Sequence, residues 1–255
     1  MTEDILLKQF IKKCESDFIH FFKIDAFPSY QITPKEITLE KSKRDGFDAL
    51  ASTFFDVSTG AHRLVIWSKL YMPQMYAKYL VFHELTHILD AETYSQRDKD
   101  KYVANKGYTE YHAAQNEFMQ LLGAKNITEP FSFSMKQRFE TFSREESASD
   151  FLIEPHNQAV AMIERDDFPA SIEALITTLG WIFNYYGHRS ICKMYASDFI
   201  DTVDNSVISK LIHEDVVKLL DAFMLGWFTE KDVTLVDALY YRMAISLAQQ
   251  YRLTK

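Results

Sequence analysis

The sequence predicts an α+β fold that is mostly helical, with a small antiparallel sheet, one central helix after it and a helical C-terminal half. Three observations lead there. Gly and Pro are scarce, seven and six in 255 residues, which favours long helices over an all-β fold. Two apolar runs flank Ser58-Thr59-Gly60, the pattern of a hairpin. From Gln74 to Ala91 there is neither Pro nor Gly, and apolar residues recur every three to four positions, the period of a buried helix face.

In chain order, residues 3 to 22 read as a helix. Glu3 and Asp4 suit its positive end, and Ile5/Leu6, Phe10, Cys14, Phe18 and Phe21/Phe22 form its stripe. Cys14 reads as a small core residue, His20 as a surface or boundary residue. Residues 28 to 34 are extended, Ile37 and Leu39 start a strand, and Lys41 to Gly46 form a charged turn. Ala49 to Val57 and Arg63 to Trp67 are the hairpin strands, with Leu64-Val65-Ile66-Trp67 the most apolar strand of the chain. Pro73 suits the first turn of the following helix. Tyr76, Leu80, His83, His87 and Asp90 then share one face, and Met75, Tyr79, Phe82 and Leu89 widen its buried side. A polar link, 92 to 101, leads to a helix from Gly107 to Gly123, with Thr109 as its cap. Four more helices follow: Ser134 to Ile153, stopped by Pro155; Pro169 to Tyr186, closed by Gly187; Val207 to Leu225, closed by Gly226; and Val233 to Tyr251. A boundary near Asn126 to Phe133 divides a core, 1–130, from a helical region, 131–255, packed on it.

The central helix carries His83-Glu84-Leu85-Thr86-His87. On a helix, residues four apart lie one above the other. His83 and His87 then grip one metal ion, and Glu84 places a carboxylate beside the open position. Catalytic zinc takes three protein ligands. A continuation to His-x-x-Gly-x-x-His is excluded, since Asp90 and Thr93 stand at those places. The third ligand is therefore a later Glu. Glu110 is the first choice, because Ala113 and Ala114 on its helix allow a close approach to the motif helix. Glu146 is the rival: Glu146-Ser147-Ala148-Ser149-Asp150 resembles the Glu-x-x-x-Asp segment of thermolysin-like peptidases. Glu117 is the third candidate. Asp90 is a candidate to orient a metal-bound His from outside the ligand shell.

Phe82-His83-Glu84-Leu85-Thr86-His87, followed by Glu110-x-x-Ala113 and an apolar helix ending Leu121-Leu122, resembles the ImmA/IrrE type of metallo-endopeptidase over roughly residues 49 to 123. The resemblance implies a compact zincin-like core and cleavage of regulatory proteins such as repressors. The family's Leu-Met-Pro after the second helix is absent here, where Leu122 is followed by Gly123-Ala124. The expected chemistry is hydrolysis of a peptide bond. Zinc held by His83, His87 and Glu110 activates water and polarises the carbonyl, and Glu84 shuttles the proton. Tyr108, His112 and His156 are candidate donors to the oxyanion. The strand Leu64, Val65, Ile66 and Trp67, placed directly before the motif helix, is expected to edge the cleft and pair with an extended peptide. The alternative is a non-catalytic metal-containing regulator that binds a partner through its C-terminal helices. A third reading, a metal-free helical protein with a chance motif, is separated from both by metal content.

Charge and composition narrow the classes. A net charge of −8 with scattered basic residues argues against nucleic-acid binding. Two distant cysteines, Cys14 and Cys192, are no disulfide framework. The acidic N-terminus lacks the features of a secretory signal, and no run is long enough to span a bilayer. The expected setting is cytoplasmic, the expected partner a protein or peptide substrate.

Overall fold

Helix α1 (Glu3–Phe22) buries Leu7, Ile11, Cys14, Phe18 and Phe21. Ile5 is 46% exposed, so the buried stripe runs one residue later at its start than the sequence suggests. His20 is exposed. The computed structural model describes residues 3–37, 50–73, 76–222 and 229–253. The expected strand residue Leu39, the turn from Lys41 to Gly46, and Ala49, Gln74, Met75, Leu225 and Gly226 lie outside these. The fold is α+β, about 58% helical, with a small three-stranded sheet.

Strands β1 (Tyr30–Lys35), β2 (Ala51–Asp56) and β3 (Ala61–Trp67) form that sheet in the order β1-β3-β2. The β2–β3 hairpin is antiparallel, with Ala51 opposite Ile66 and Asp56 opposite Ala61. Asp56 Oδ1 accepts from the Ser58 amide at 2.9 Å and from its hydroxyl at 2.6 Å. Gly60 has φ +73°, a conformation that glycine adopts without steric cost. The sheet is mixed rather than purely antiparallel, because β1 pairs parallel to β3, Tyr30 with His62 through Lys35 with Trp67. β3 is thus the central strand, hydrogen-bonded on both sides. The expectation that Leu64 to Trp67 offers a free edge is overturned. Alternation did identify the buried face, where His62, Leu64 and Ile66 point to the core. The order of pairing was set by β1, which arrives from far along the chain and takes β3's second edge.

The motif helix α2 (Lys78–Asp90) begins after Tyr76, which has φ 44° and lies 53% exposed. Tyr76 therefore precedes the helix rather than joining its stripe. α2 is buried on most sides: Tyr79, Val81, Phe82, Glu84, Leu85, Thr86, Ile88 and Asp90 are all inside. It runs on as one π turn, Ala91–Ser95, a helix form found often at functional sites. The predicted polar link holds this turn and helix α3 (Lys99–Ala104), which Asp98 caps by accepting from the amides of Asp100 and Lys101.

Helix α4 (Lys106–Leu121) is buried along nearly its whole length. It packs on α2 and, more extensively, on α6. Residues 138–147 form a hairpin of β4 (Arg138–Glu140) and β5 (Glu145–Ser147), not the helix expected from Ser134. The reason is local. The Ser147 hydroxyl accepts from the Asp150 amide while Asp150 accepts from the Ser147 amide, and this capping box starts α5 (Ala148–Ile163) at Ala148. α5 also runs through Pro155. The lost hydrogen bond there is offset by the packing of α5 on α6.

Helix α6 (Ile172–Tyr195) likewise passes through Gly187, the expected stop. A Cβ on Gly187 would lie 2.4 Å from the Tyr111 carbonyl oxygen and 2.7 Å from Ala114 Cβ. The glycine serves a close helix crossing, not a helix end. Gly187→Ala should destabilise the fold by roughly 1–3 kcal/mol, as overpacking does, read as a lower urea midpoint at unchanged slope. The predicted helix from Val207 is a 3₁₀ turn, Ile208–Lys210, followed by α7 (Glu214–Ala222). Helix α8 (Glu230–Gln250) is capped by Thr229 and Asp232. Both cysteines are free and buried, and burial pushes the Cys14 thiol up to about 12. No helix among the described residues is long and apolar enough to cross a membrane.

Candidate metal centre

The α2–α4 interface brings three donors together. One ligand atom each from His83, His87 and Glu110 lie within 4.8 Å of one another. Glu110 Oε2 is 3.6 Å from His83 Nε2 and 3.8 Å from His87 Nε2. The imidazoles are one turn apart, their centroids separated by 4.7 Å and their planes by 77°. Both rings thus present Nε2 to one carboxylate oxygen, an arrangement that could hold a metal ion. Two nitrogens and one oxygen suit a divalent transition metal.

Each donor is held from behind. His83 Nδ1 pairs with Glu117 Oε2 at 2.9 Å, and His87 Nδ1 with Thr109 Oγ1 at 2.8 Å. Such partners fix the tautomer, so that Nδ1 carries the proton and Nε2 the free lone pair. The other oxygen of Glu117, Oε1, accepts from His188 Nε2 at 2.7 Å. Asn184, with its amide nitrogen turned toward α4, donates to the Glu110 carbonyl at 2.9 Å and to Glu110 Oε2 at 3.3 Å. Asn184 and His188 are four apart on α6, so one face of that helix supports two acids of α4. Glu117→Gln is expected to weaken metal binding by roughly 10–100-fold, as loss of an outer partner of a metal-bound His does. A competition titration against a chromophoric chelator reads it.

The electrostatics fit a cation. Burial alone would push Glu110 and Glu117 up. The neighbouring histidines more than offset it, holding Glu110 and Glu117 at about 2. Burial favours a neutral His83, yet Glu117 and Glu110 outweigh it and hold the ring well above its ordinary value. His87 is pushed down by burial to about 3. Glu84 lies beside the cluster, 8% exposed, and burial raises it to about 7, partly offset by His83 and then by the Thr53 hydroxyl. Its Oε2 has no hydrogen-bond partner among the described residues.

The other expected site residues fall elsewhere. Glu117 stands behind His83 rather than completing the donor cluster. Glu146 accepts from Thr141 and faces Arg144, outside that cluster. Asp90 pairs with His112 Nδ1 at 3.0 Å, not with a histidine of the cluster: a carboxylate only 1% exposed needs a partner, and His112 meets it across the α2–α4 interface. His112 also stacks on Tyr108, and His156 Nε2 pairs with the Asp204 carbonyl at 3.2 Å. None of the three proposed oxyanion donors lines the cleft at the histidines. Thr109 is no cap, since α4 starts at Lys106 and the hydroxyl serves His87. Asn184 and His188 gave one sequence signal, two polar residues at helical spacing inside an apolar stretch.

A cleft of about 390 Å³ opens beside His83 and Glu84. Leu50 and Ala51 at the sheet edge, Glu146 of the hairpin, Phe151 and Glu154 of α5, and Trp181 and His188 of α6 form its walls. No family model, curated protein or solved structure matches the chain. The geometry therefore carries the functional reading.

Proposed function

We propose that the chain is a zinc-dependent endopeptidase with a zincin-like core, hydrolysing a protein substrate bound in the cleft beside His83 and Glu84. One observation carries this reading: a His-His-Glu cluster within 4.8 Å stands next to a buried carboxylate with an uncommitted oxygen, Glu84 Oε2. The donors suit zinc, which two His and one Glu bind in known peptidases. When bound, the ion supplies Lewis acidity to the scissile carbonyl and to the attacking water.

The chain's own residues do the rest. His83 and His87, their Nδ1 protons held by Glu117 and Thr109, keep Nε2 aimed at the centre. Glu110, positioned by Asn184, completes the grip. Glu84 takes a proton from the attacking water and delivers it to the leaving amine. His188 lines the cleft with Nδ1 unpartnered and is the candidate residue to meet the oxyanion. The strand that fits an extended peptide is β2, which among the described residues stands at the sheet's edge, packs on α2 and reaches the cleft at Leu50 and Ala51. Strand addition there lays the peptide across Glu84.

The test is a peptide library derived from a whole proteome, incubated with zinc-loaded protein and read by mass spectrometry for new termini. Internal cleavages that vanish on chelation and return with zinc support the reading. A zinc-loaded protein that generates none removes it.

A further inference from the structure

The cleft has a second chemistry that hydrolysis does not use. Its lining includes Glu146 and Glu154, and among the described residues no Lys or Arg lines it. Glu146 is 3% exposed. Its Oε1 accepts from Thr141 Oγ1 at 3.2 Å and forms an ion pair with Arg144 Nε at 3.2 Å, while its Oε2 has no hydrogen-bond partner among the described residues. Arg144 also reaches Glu154 Oε2, at 3.6 Å. That guanidinium is 61% exposed, so solvent screens much of its charge. Two carboxylates thus share one screened cation. Burial, and then repulsion from Glu146, raise Glu154 above its usual range.

A structural ion pair that merely fixed the hairpin would satisfy both oxygens of its buried partner, because an unpaired buried acceptor is costly. Here one buried oxygen is left over, in a residue that lines a cleft. The cleft is also flanked by Leu80, Phe151, Pro155 and Trp181, apolar surface of the kind that covers the stem of a long cationic side chain. Among the described residues His83, His87 and Glu110 are the one grouping of three metal-type donors, so this pocket suits an organic cation.

We propose that Glu146 and Glu154 form a subsite for an ammonium or guanidinium group of the bound peptide. As a substrate preference this rests on the hydrolytic reading; as binding it does not. The cation has two sources, a Lys or Arg side chain and a free α-amino terminus.

The experiment is calorimetric titration of the zinc-loaded full-length chain carrying Glu84→Gln. The probes are three heptapeptides: an alanine-based peptide blocked at both ends with a central Arg, the same peptide with norleucine, and the norleucine peptide with a free amino terminus. The Arg peptide is expected to bind at least tenfold more tightly than its blocked norleucine twin. A free-amine peptide that binds tighter than the Arg peptide assigns the pocket to the chain terminus. Adding Glu146→Gln or Glu154→Gln should remove most of the charge preference; Glu154 is the more exposed of the two, so its variant guards against misfolding. Arg144→Ala removes the competing cation and should strengthen binding of the preferred peptide several-fold, whereas a purely structural Arg144 would weaken it or leave it unchanged. Equal affinities for charged and neutral probes, no binding by any probe, or a preference that survives both Gln variants overturns the proposal. Charge-selective binding without cleavage by the wild-type protein would sink the hydrolytic reading alone. Cleavage blind to charge would sink this subsite alone.

Discussion

Glu84→Gln is expected to keep the metal and to lower turnover by roughly 10²–10⁴-fold, the usual share of a positioned general acid–base. The two halves of that result have separate causes. Metal is kept because Glu84 is not among the three clustered donors, and an amide of the same size fills the same buried space. Turnover falls because the amide cannot accept the proton of the attacking water. Nor can a neighbour take over readily: Glu117 is engaged by His83 and His188, and Glu110 faces the two histidines. The measurement pairs kcat on a substrate found in the library with zinc per chain by atomic absorption. Wild-type kcat in the variant removes Glu84 from the chemistry. Loss of zinc would make Glu84 a ligand.

His87→Ala is expected to cost more than the Glu117 variant, beyond the roughly 10–100-fold of an outer partner, because it deletes a donor itself. Protein purified without chelator should fall from near one zinc per chain to near none. The loss has a stability readout independent of activity. An ion that binds only the folded chain adds about 4 kcal/mol when free metal exceeds Kd by a thousandfold. Zinc should therefore raise the melting temperature of the wild type and leave that of His87→Ala nearly unmoved. The folded state itself should tolerate the change, since the Thr109 hydroxyl freed by it sits 6% exposed and can rotate to a backbone carbonyl of its own helix. Equal zinc content in both proteins would remove the His-His-Glu centre.

The subsequent course of the chain shows where local reading ended. Ser134 to Ile153 has helical composition, but the capping box at Ser147 and Asp150 begins the helix late and leaves the preceding residues to a hairpin. Gly187 looked like a stop, because nothing in the sequence shows that Tyr111 and Ala114 lie against it. Leu64 to Trp67 is so apolar because it is covered on both edges, and the same fact removes it as a docking edge.

By itself the sequence determined that His83 and His87 share one face of a buried helix with Glu84 beside them, and that a mostly helical chain carries a small sheet before it. These features depend on spacings within single elements, where the helical or strand period places each side chain. Tertiary structure alone decided that Glu110 faces both histidines while Glu117 stands behind one, that Asp90 turns to His112, and that His188, 71 residues beyond Glu117, joins the site. Those pairings depend on how α2, α4 and α6 cross, and buried polar groups take whichever partner the crossing supplies.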